Sequence, residues 1–346
     1  MKKQLLIIAV ILTCFLFLSY NMSGASLNGD IIYPVISSSV PAPFTSSSAS
    51  PDDRTLAKHI FSDALSSFEY TEKTTLPTES NTAVPALSNS PSKNEIPFNI
   101  TETEITKGAF SLSGVEINNE TDYELKNALK EVHIPENPTV LIVHTHTSES
   151  YRPSELFPYT PTDNSRTEDI KFNVARVGNE LAHELSTYGI NVIHDSSIND
   201  YPSYNGSYKK TLELIESHLE KNPEIDMVID LHRDAMERSD GTKISTVCSV
   251  NGEKAAQIML VVGTDQGGLT HQNWRDNFSF AVKLQTIINE NFPHLARPVN
   301  VRKERFNGHV SKKAVIIEVG TTGNTLEEAL VSARALAFSI NEFYTG

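Results

Sequence analysis

Thr139-Val-Leu-Ile-Val-His144 decides the fold. An uncharged run rich in β-branched side chains, cut off by a polar segment, has the signature of a strand buried on both faces. Working outward, residues 168–188 carry Phe172, Val174, Val177, Leu181 and Leu185 at helical spacing, and Gly189 ends that helix. Apolar runs at 190–194, 225–231, 243–250, 257–263 and 314–319 predict further strands, and helices are expected at 209–220, 274–291 and 326–344. Ahead of the decisive run, Phe110, Leu112, Val115 and Ile117 have strand character, and 122–132 reads as a helix. Strands alternating with helices of this length predict an α/β fold. It is a single domain over 106–346, with a twisted, largely parallel sheet flanked by helices.

The chain ahead of that domain has a different composition. Lys2 and Lys3 precede a charge-free apolar run from Leu5 to Leu18, the layout of an export signal or membrane anchor. Residues 1–27 are therefore expected to form a transmembrane anchor, and the preceding positive charge puts the remainder outside the cytoplasm, at the cell membrane. Residues 28–105, rich in Ser, Thr, Pro and Ala, read as a disordered stalk. Leu56, Ile60, Leu65 and Phe68 interrupt it at the spacing of a short amphipathic helix. The 346 residues include 43 acidic and 29 basic ones, a net charge of −14 with no basic stripe, so nucleic-acid binding has little electrostatic support. Cys14 falls in the anchor run and Cys248 in a predicted strand; no disulfide is expected, and a core or a metal must supply stability.

Three predicted strands end in residues that can do chemistry. The first runs into His144-Thr-His-Thr-Ser-Glu-Ser-Tyr151, the second into Asp230-Leu-His-Arg-Asp-Ala235, and the third into Ile316-Ile-Glu-Val-Gly-Thr-Thr-Gly-Asn324. In open α/β sheets ligands bind beyond the carboxyl ends of strands, so three such ends converge on one cleft. Zinc takes imidazole and carboxylate ligands and, in catalytic sites, keeps one position for water. His144 and His146 can supply one or two imidazoles, His232 another, and Glu168 or Asp169 at the start of the long helix a carboxylate. Glu318, with no Arg or Lys beside it in sequence, is the candidate general base, a role suited to a carboxylate whose pKa burial has raised. Each residue has a plainer rival. A single histidine at a strand end is commonly a hydrogen-bonded structural residue, Asp230 can orient a histidine or pair with Arg233, and Glu318 can cap the helix that follows. His194, His271 and His309 join no constellation and read as surface or loop residues. No Gly-x-Ser-x-Gly segment occurs, and Cys248 lies mid-strand, so a Ser or Cys nucleophile has no signature.

Five segments taken together resemble one family. They are His144-Thr-His-Thr-Ser-Glu-Ser-Tyr151, Asn173-Val-Ala-Arg-Val-Gly178, Asp230-Leu-His-Arg-Asp-Ala235, Val262-Gly-Thr-Asp265 with Trp274, and Ile317-Glu-Val-Gly320. In that order, from residue 107 to the end of the chain, they look like the stage II sporulation protein P family. The resemblance implies a zinc-dependent peptidoglycan hydrolase, an N-acetylmuramoyl-L-alanine amidase with endopeptidase activity that thins the septal wall during engulfment. It implies partners as well: stage II sporulation protein D, a lytic transglycosylase, and stage II sporulation protein M, a membrane scaffold. It further implies a zinc-amidase-like fold in which His146 and His232 bind Zn2+ and Glu318 is catalytic. The helix-opening Glu of that pattern falls opposite Asp169, next to Glu168, with Glu149 a further contender. His144 stays a candidate beside the favoured His146. Two rival readings are a catalytically inactive wall-binding or scaffold protein and a zinc-dependent deacetylase of wall glycans.

Overall fold

The apolar runs are where the strands form. The computed structural model describes residues 99–161 and 165–346, all within one unit, Pro91–Gly346. One strand in from an edge of the main sheet lies β4 (Thr139–Val143), buried along its whole length. It pairs in parallel with β5 (Asn191–His194) on one side and β6 (Ile225–Asp234) on the other. Beyond β6 come β11 (Ala314–Thr321), β9 (Ile258–Gly263), β10 (Val299–Arg302), β3 (Val115–Asn119) and β2 (Phe110–Leu112), giving the order β2-β3-β10-β9-β11-β6-β4-β5. Five pairings are parallel and two antiparallel, so the sheet is mixed but largely parallel. A second sheet joins β1 (Ile100–Thr103), β7 (Lys243–Val250) and β8 (Glu253–Ala256).

Alternation along the strands divides the interior in two. Val140 and Ile142 of β4, Met227, Ile229 and Leu231 of β6, and Val315, Ile317 and Val319 of β11 belong to the larger core. That core is covered by α1 (Val174–Thr187), α3 (Trp274–Asn291) and α4 (Leu326–Thr345). Leu141, Val143, Val228 and Ala314 face the other way, against Ile215 of α2 (Ser207–Lys221). Asp230 and His232 follow Val228 at the strand period of two, and Glu318 stands opposite His232 in the β6–β11 register. All three therefore share the α2 face, at the carboxyl end of neighbouring parallel strands. Burial on both sides explains why these strands read as continuous apolar runs.

Some expectations are corrected. Residues 122–132 are not helical but form bends and turns. Local polar bonds win there: Asn119 Oδ1 accepts the Thr121 N–H, and Thr121 Oγ1 accepts the Tyr123 N–H. The long helix starts at Val174 rather than 168, because Asn173 caps it by accepting the Ala175 N–H at 2.9 Å. Strands β1, β8 and β10, each of four residues, have no counterpart among the predicted ones. Among the described residues no helix is long and apolar enough to cross a membrane. The expected anchor (1–27) and the amphipathic segment at 56–68 lie outside the described residues, as does the stalk up to residue 98.

Candidate active site

The turn after β4 is set by one buried carboxylate. Asp230 Oδ1 accepts the Thr145 N–H at 2.7 Å and Oδ2 accepts its hydroxyl at 2.6 Å. This clamp separates the two histidines of the turn. His144 turns away from the α2 face: its Nδ1 lies 2.8 Å from the Leu231 carbonyl and its Nε2 2.8 Å from His194 Nε2. Burial, with His194 alongside, pushes the His144 imidazole down to about 3, and burial lowers His194 to about 4. Both rings are neutral at ordinary pH. Gly178 of α1 makes this pairing possible, since a Cβ there would stand 2.6 Å from His194 Nε2 and 2.7 Å from His144 Nε2. Gly178→Ala is therefore expected to cost about 1–3 kcal/mol through overpacking, read as a lowered midpoint in thermal unfolding.

His146 points into the cluster. Its ring centroid is 5.3 Å from that of His232, nearly perpendicular, and the ring stacks on Tyr204 at 4.3 Å. Both histidines are buried, at 7% and 4% exposure. Burial, with His232 beside it, lowers His146 to about 4. His232 behaves in the opposite way. Burial alone would depress it, but Asp230 and Glu149 outweigh that and hold the imidazole well above its ordinary value. Its Nδ1 lies 3.4 Å from Glu149 Oε2 and its Nε2 2.9 Å from Asp230 Oδ1. The second contact is off the line of a hydrogen bond, because Nε2 has no bonding partner.

Glu149 is fixed from several sides. Its Oε2 accepts the Arg233 N–H at 3.1 Å, and Arg166 Nη2 reaches Oε1 at 3.4 Å. Burial by itself would raise this carboxyl; the His232 contact and the Arg233 charge hold it low. Arg166 also pairs with buried Asp200 at 2.6 Å, which receives the Ser148 N–H at 3.1 Å, so the 195–206 loop is tied to the turn that carries His146. Glu318 completes the group. A register shift lies between Glu318 and Thr321, and Gly320 sits there at φ 69°, a left-handed conformation that glycine adopts without strain at a bulge. Burial raises the Glu318 carboxyl to about 8, although His232 works against it.

Of the sequence-predicted residues, His146, His232, Glu149 and Glu318 come together. His144 is diverted to His194. Glu168 and Asp169 are exposed on the turn before α1, where Asp169 Oδ1 accepts the Lys171 N–H at 3.0 Å. Sequence reasoning missed the role of His194, whose partner lies 50 residues away, and that of Asp200 and Arg166. It also put His271 among surface or loop residues; His271 does lie in a loop, just ahead of α3, but is fully buried. Capping of α4 does not fall to Glu318: Thr325 and Glu328 form a reciprocal capping box.

An α/β domain with two buried histidines, a buried carboxylate and a half-buried one at the carboxyl edge of its sheet defines the class. Within it, the chain belongs to the stage II sporulation protein P family, which matches residues 57–341. The stage II sporulation protein P of Bacillus subtilis (strain 168) is 26% identical over 216 residues, 59% of this chain and 51% of that protein. The chain thus spans about half the length of the curated relative it matches. Similar solved structures include the CwlD amidase from Clostridioides difficile in complex with the GerS lipoprotein. It is 14% identical with a TM-score of 0.39, covering 60% of this chain and 99% of that one. The N-acetylmuramoyl-L-alanine amidase AmiC2 of Nostoc punctiforme is 11% identical with a TM-score of 0.35, covering 62% and 100%.

Proposed function

We propose that this chain is a zinc-dependent peptidoglycan hydrolase that frees the stem peptide from the glycan. It acts as an N-acetylmuramoyl-L-alanine amidase, with endopeptidase cleavage of the stem as a second output of the same centre. One observation carries the reading. His146 Nδ1 and Glu318 Oε2 are buried without a bonding partner, and they gather beside His232, whose Nδ1 faces Glu149 at 3.4 Å. Orphaned groups of this kind are costly unless a ligand answers them. Among the described residues no three His, Cys, Asp or Glu donors already stand at metal-ligand spacing, so the fit to zinc rests on donor type and unmet bonding. Two imidazoles and a carboxylate, His146, His232 and Glu149, are the donors zinc prefers. The proton that His232 holds between Glu149 and Asp230 supplies a positive charge that a divalent cation would replace.

Zinc, when bound, supplies a Lewis acid for the scissile carbonyl and acidifies water. His146, Glu149 and His232 would hold it. Asp230 braces the turn bearing His146 and flanks His232, keeping both imidazoles in place. Glu318, sharing their face, takes a proton from the attacking water and passes it to the leaving amide nitrogen. A carboxylate with raised proton affinity is suited to keeping that proton between the two steps. The remaining parts of the proposal come from the family resemblance. They are thinning of the septal wall in engulfment and work beside stage II sporulation proteins D and M; a membrane-anchored, extracytoplasmic location is proposed from Lys2, Lys3 and the apolar run that follows them.

Digestion of purified sacculi, with product masses and bound metal measured with and without chelator, tests the reading. Expected are bound zinc, released stem peptide with intact glycan, and loss of both on chelation. Deacetylated glycan would instead establish a deacetylase, and no product with no zinc a wall-binding scaffold. Metal analysis of variants decides between the carboxylates. Glu149→Ala is expected to lose zinc by about 10–100-fold or more in affinity, whereas Glu168→Ala and Asp169→Ala keep it.

A further inference from the structure

A groove of about 550 Å3 lies beside the cluster, within the roughly 300–1,000 Å3 of small-ligand sites, and the chemistry above does not use it. Leu212 of α2, Leu269, Phe306 and Tyr208 give it apolar walls, and Lys209 and Arg305 edge it with positive charge. Tyr208 belongs to both places. It lines the groove while its ring stands edge-on to His146 at 5.6 Å and 5.7 Å from Phe306. Asn307 Nδ2 donates to the Tyr208 carbonyl at 2.9 Å, fixing the segment that carries Arg305 and Phe306 against α2. Arg305 is underused by the protein. Its Nε is buried without a partner, and Nη1 reaches only the Thr270 carbonyl at 3.4 Å. The one acid on the groove, Glu304, lies 3.3 Å from Arg302, which answers its charge. Leu269 is 58% exposed, an apolar side chain presented to whatever enters.

We propose that this groove receives the peptide arm of the substrate and that Arg305 pairs with a carboxylate of that arm. The inference rests on the reading that the cluster cuts the amide of a wall stem peptide. Three observations select the peptide over the sugar chain. Tyr208 lines the groove and stands against His146, so a chain held across the scissile bond has one ring to pass before entering it. Its apolar walls suit the methyl side chains of a short alanine-rich peptide. Its guanidinium, held only by one long bond to the Thr270 carbonyl, suits that peptide's carboxylates, which form charge-assisted, often bidentate pairs with Arg, whereas an uncharged sugar offers no charge to neutralise.

Steady-state hydrolysis of a soluble disaccharide-tetrapeptide by the full chain, with the wild type and two variants, tests this. Arg305→Gln is expected to raise KM roughly 10- to 100-fold with kcat within about 2-fold. Leu269→Ser raises KM to a smaller extent, and Arg305→Lys recovers part of the loss. On a substrate whose peptide carboxylates are amidated, wild type and Arg305→Gln should have equal KM. In parallel, the free stem tetrapeptide is titrated calorimetrically into wild type and Arg305→Gln. Digestion with a KM indifferent to Arg305 and Leu269 overturns the groove assignment and leaves the hydrolase reading standing. Arg305-dependent tetrapeptide binding without digestion supports the groove and removes the hydrolase reading.

Discussion

Glu318→Gln is expected to leave the protein folded and zinc-loaded while cutting release of stem peptide by roughly 10²–10⁴-fold, the usual weight of a positioned general base. The amide keeps the shape of the side chain and removes only its ability to take a proton. The same substitution should stabilise the metal-free protein at alkaline pH. Burial raises the Glu318 carboxyl to about 8, above its unfolded value, so the fold binds this proton more tightly than the unfolded chain does. Stability from this group is complete below the unfolded value and is lost as pH climbs through about 8. Glu318→Gln removes that loss. Its melting temperature under chelation should exceed that of the wild type at pH 8.5, by the equivalent of on the order of 4 kcal/mol, and the two should nearly agree near pH 5. Retained hydrolysis in the variant would remove Glu318 from the mechanism.

Asp230→Ala should be the most damaging single change to the fold of the site. Three groups depend on this carboxylate: the Thr145 N–H, the Thr145 hydroxyl and the charged His232 ring. Truncation leaves the first two unsatisfied and the third with Glu149 as its remaining counter-charge nearby. A loss of about 3–5 kcal/mol is expected, visible as a lower denaturant midpoint. Zinc affinity should fall about 10–100-fold, as when other groups that orient metal-bound histidines are removed. Asp230→Asn, which can still accept from Thr145, should recover much of the stability and less of the zinc. An unchanged midpoint in Asp230→Ala would mean that the turn after β4 is held by other contacts.

How far the sequence discloses this molecule depends on burial. β4 and β9 are apolar without interruption, and β6 and β11 nearly so, broken by Asp226 and Asp230 in one and Glu318 in the other, and the strand ends are marked by abrupt polarity. Because those ends belong to neighbouring strands, His146, His232 and Glu318 can be picked out before any coordinates exist. β10 carries Asn300 and Arg302 in four residues, and β1 and β8 are as short and more polar, so none stands out from a loop. The carboxylate near the histidines is hard to choose by spacing, because Phe172 extends the apolar face of α1 backward past its true start. Only the Asn173 cap shows that residues 168–172 are an exposed turn. The divergence of His144 from His146 is equally hidden, since it follows from a clamp that Asp230 makes across 85 residues.

The small sheet determines where a pull on the chain is felt. β1 is the first strand of the described chain and lies parallel to β7. β7 in turn holds the segment just past Glu318, through the Thr321 hydroxyl on the Ile244 carbonyl and Asn324 Nδ2 on the Thr246 carbonyl at 3.1 Å. Among the described residues, tension entering at the start of β1 meets the β1–β7 ladder first, and a force along the axis of a parallel pair loads its rungs together in shear. The domain thus has a mechanical junction at its entrance, two strands removed from the residue that would move the proton. A tether fastened there can be tugged while the reacting groups keep their spacing.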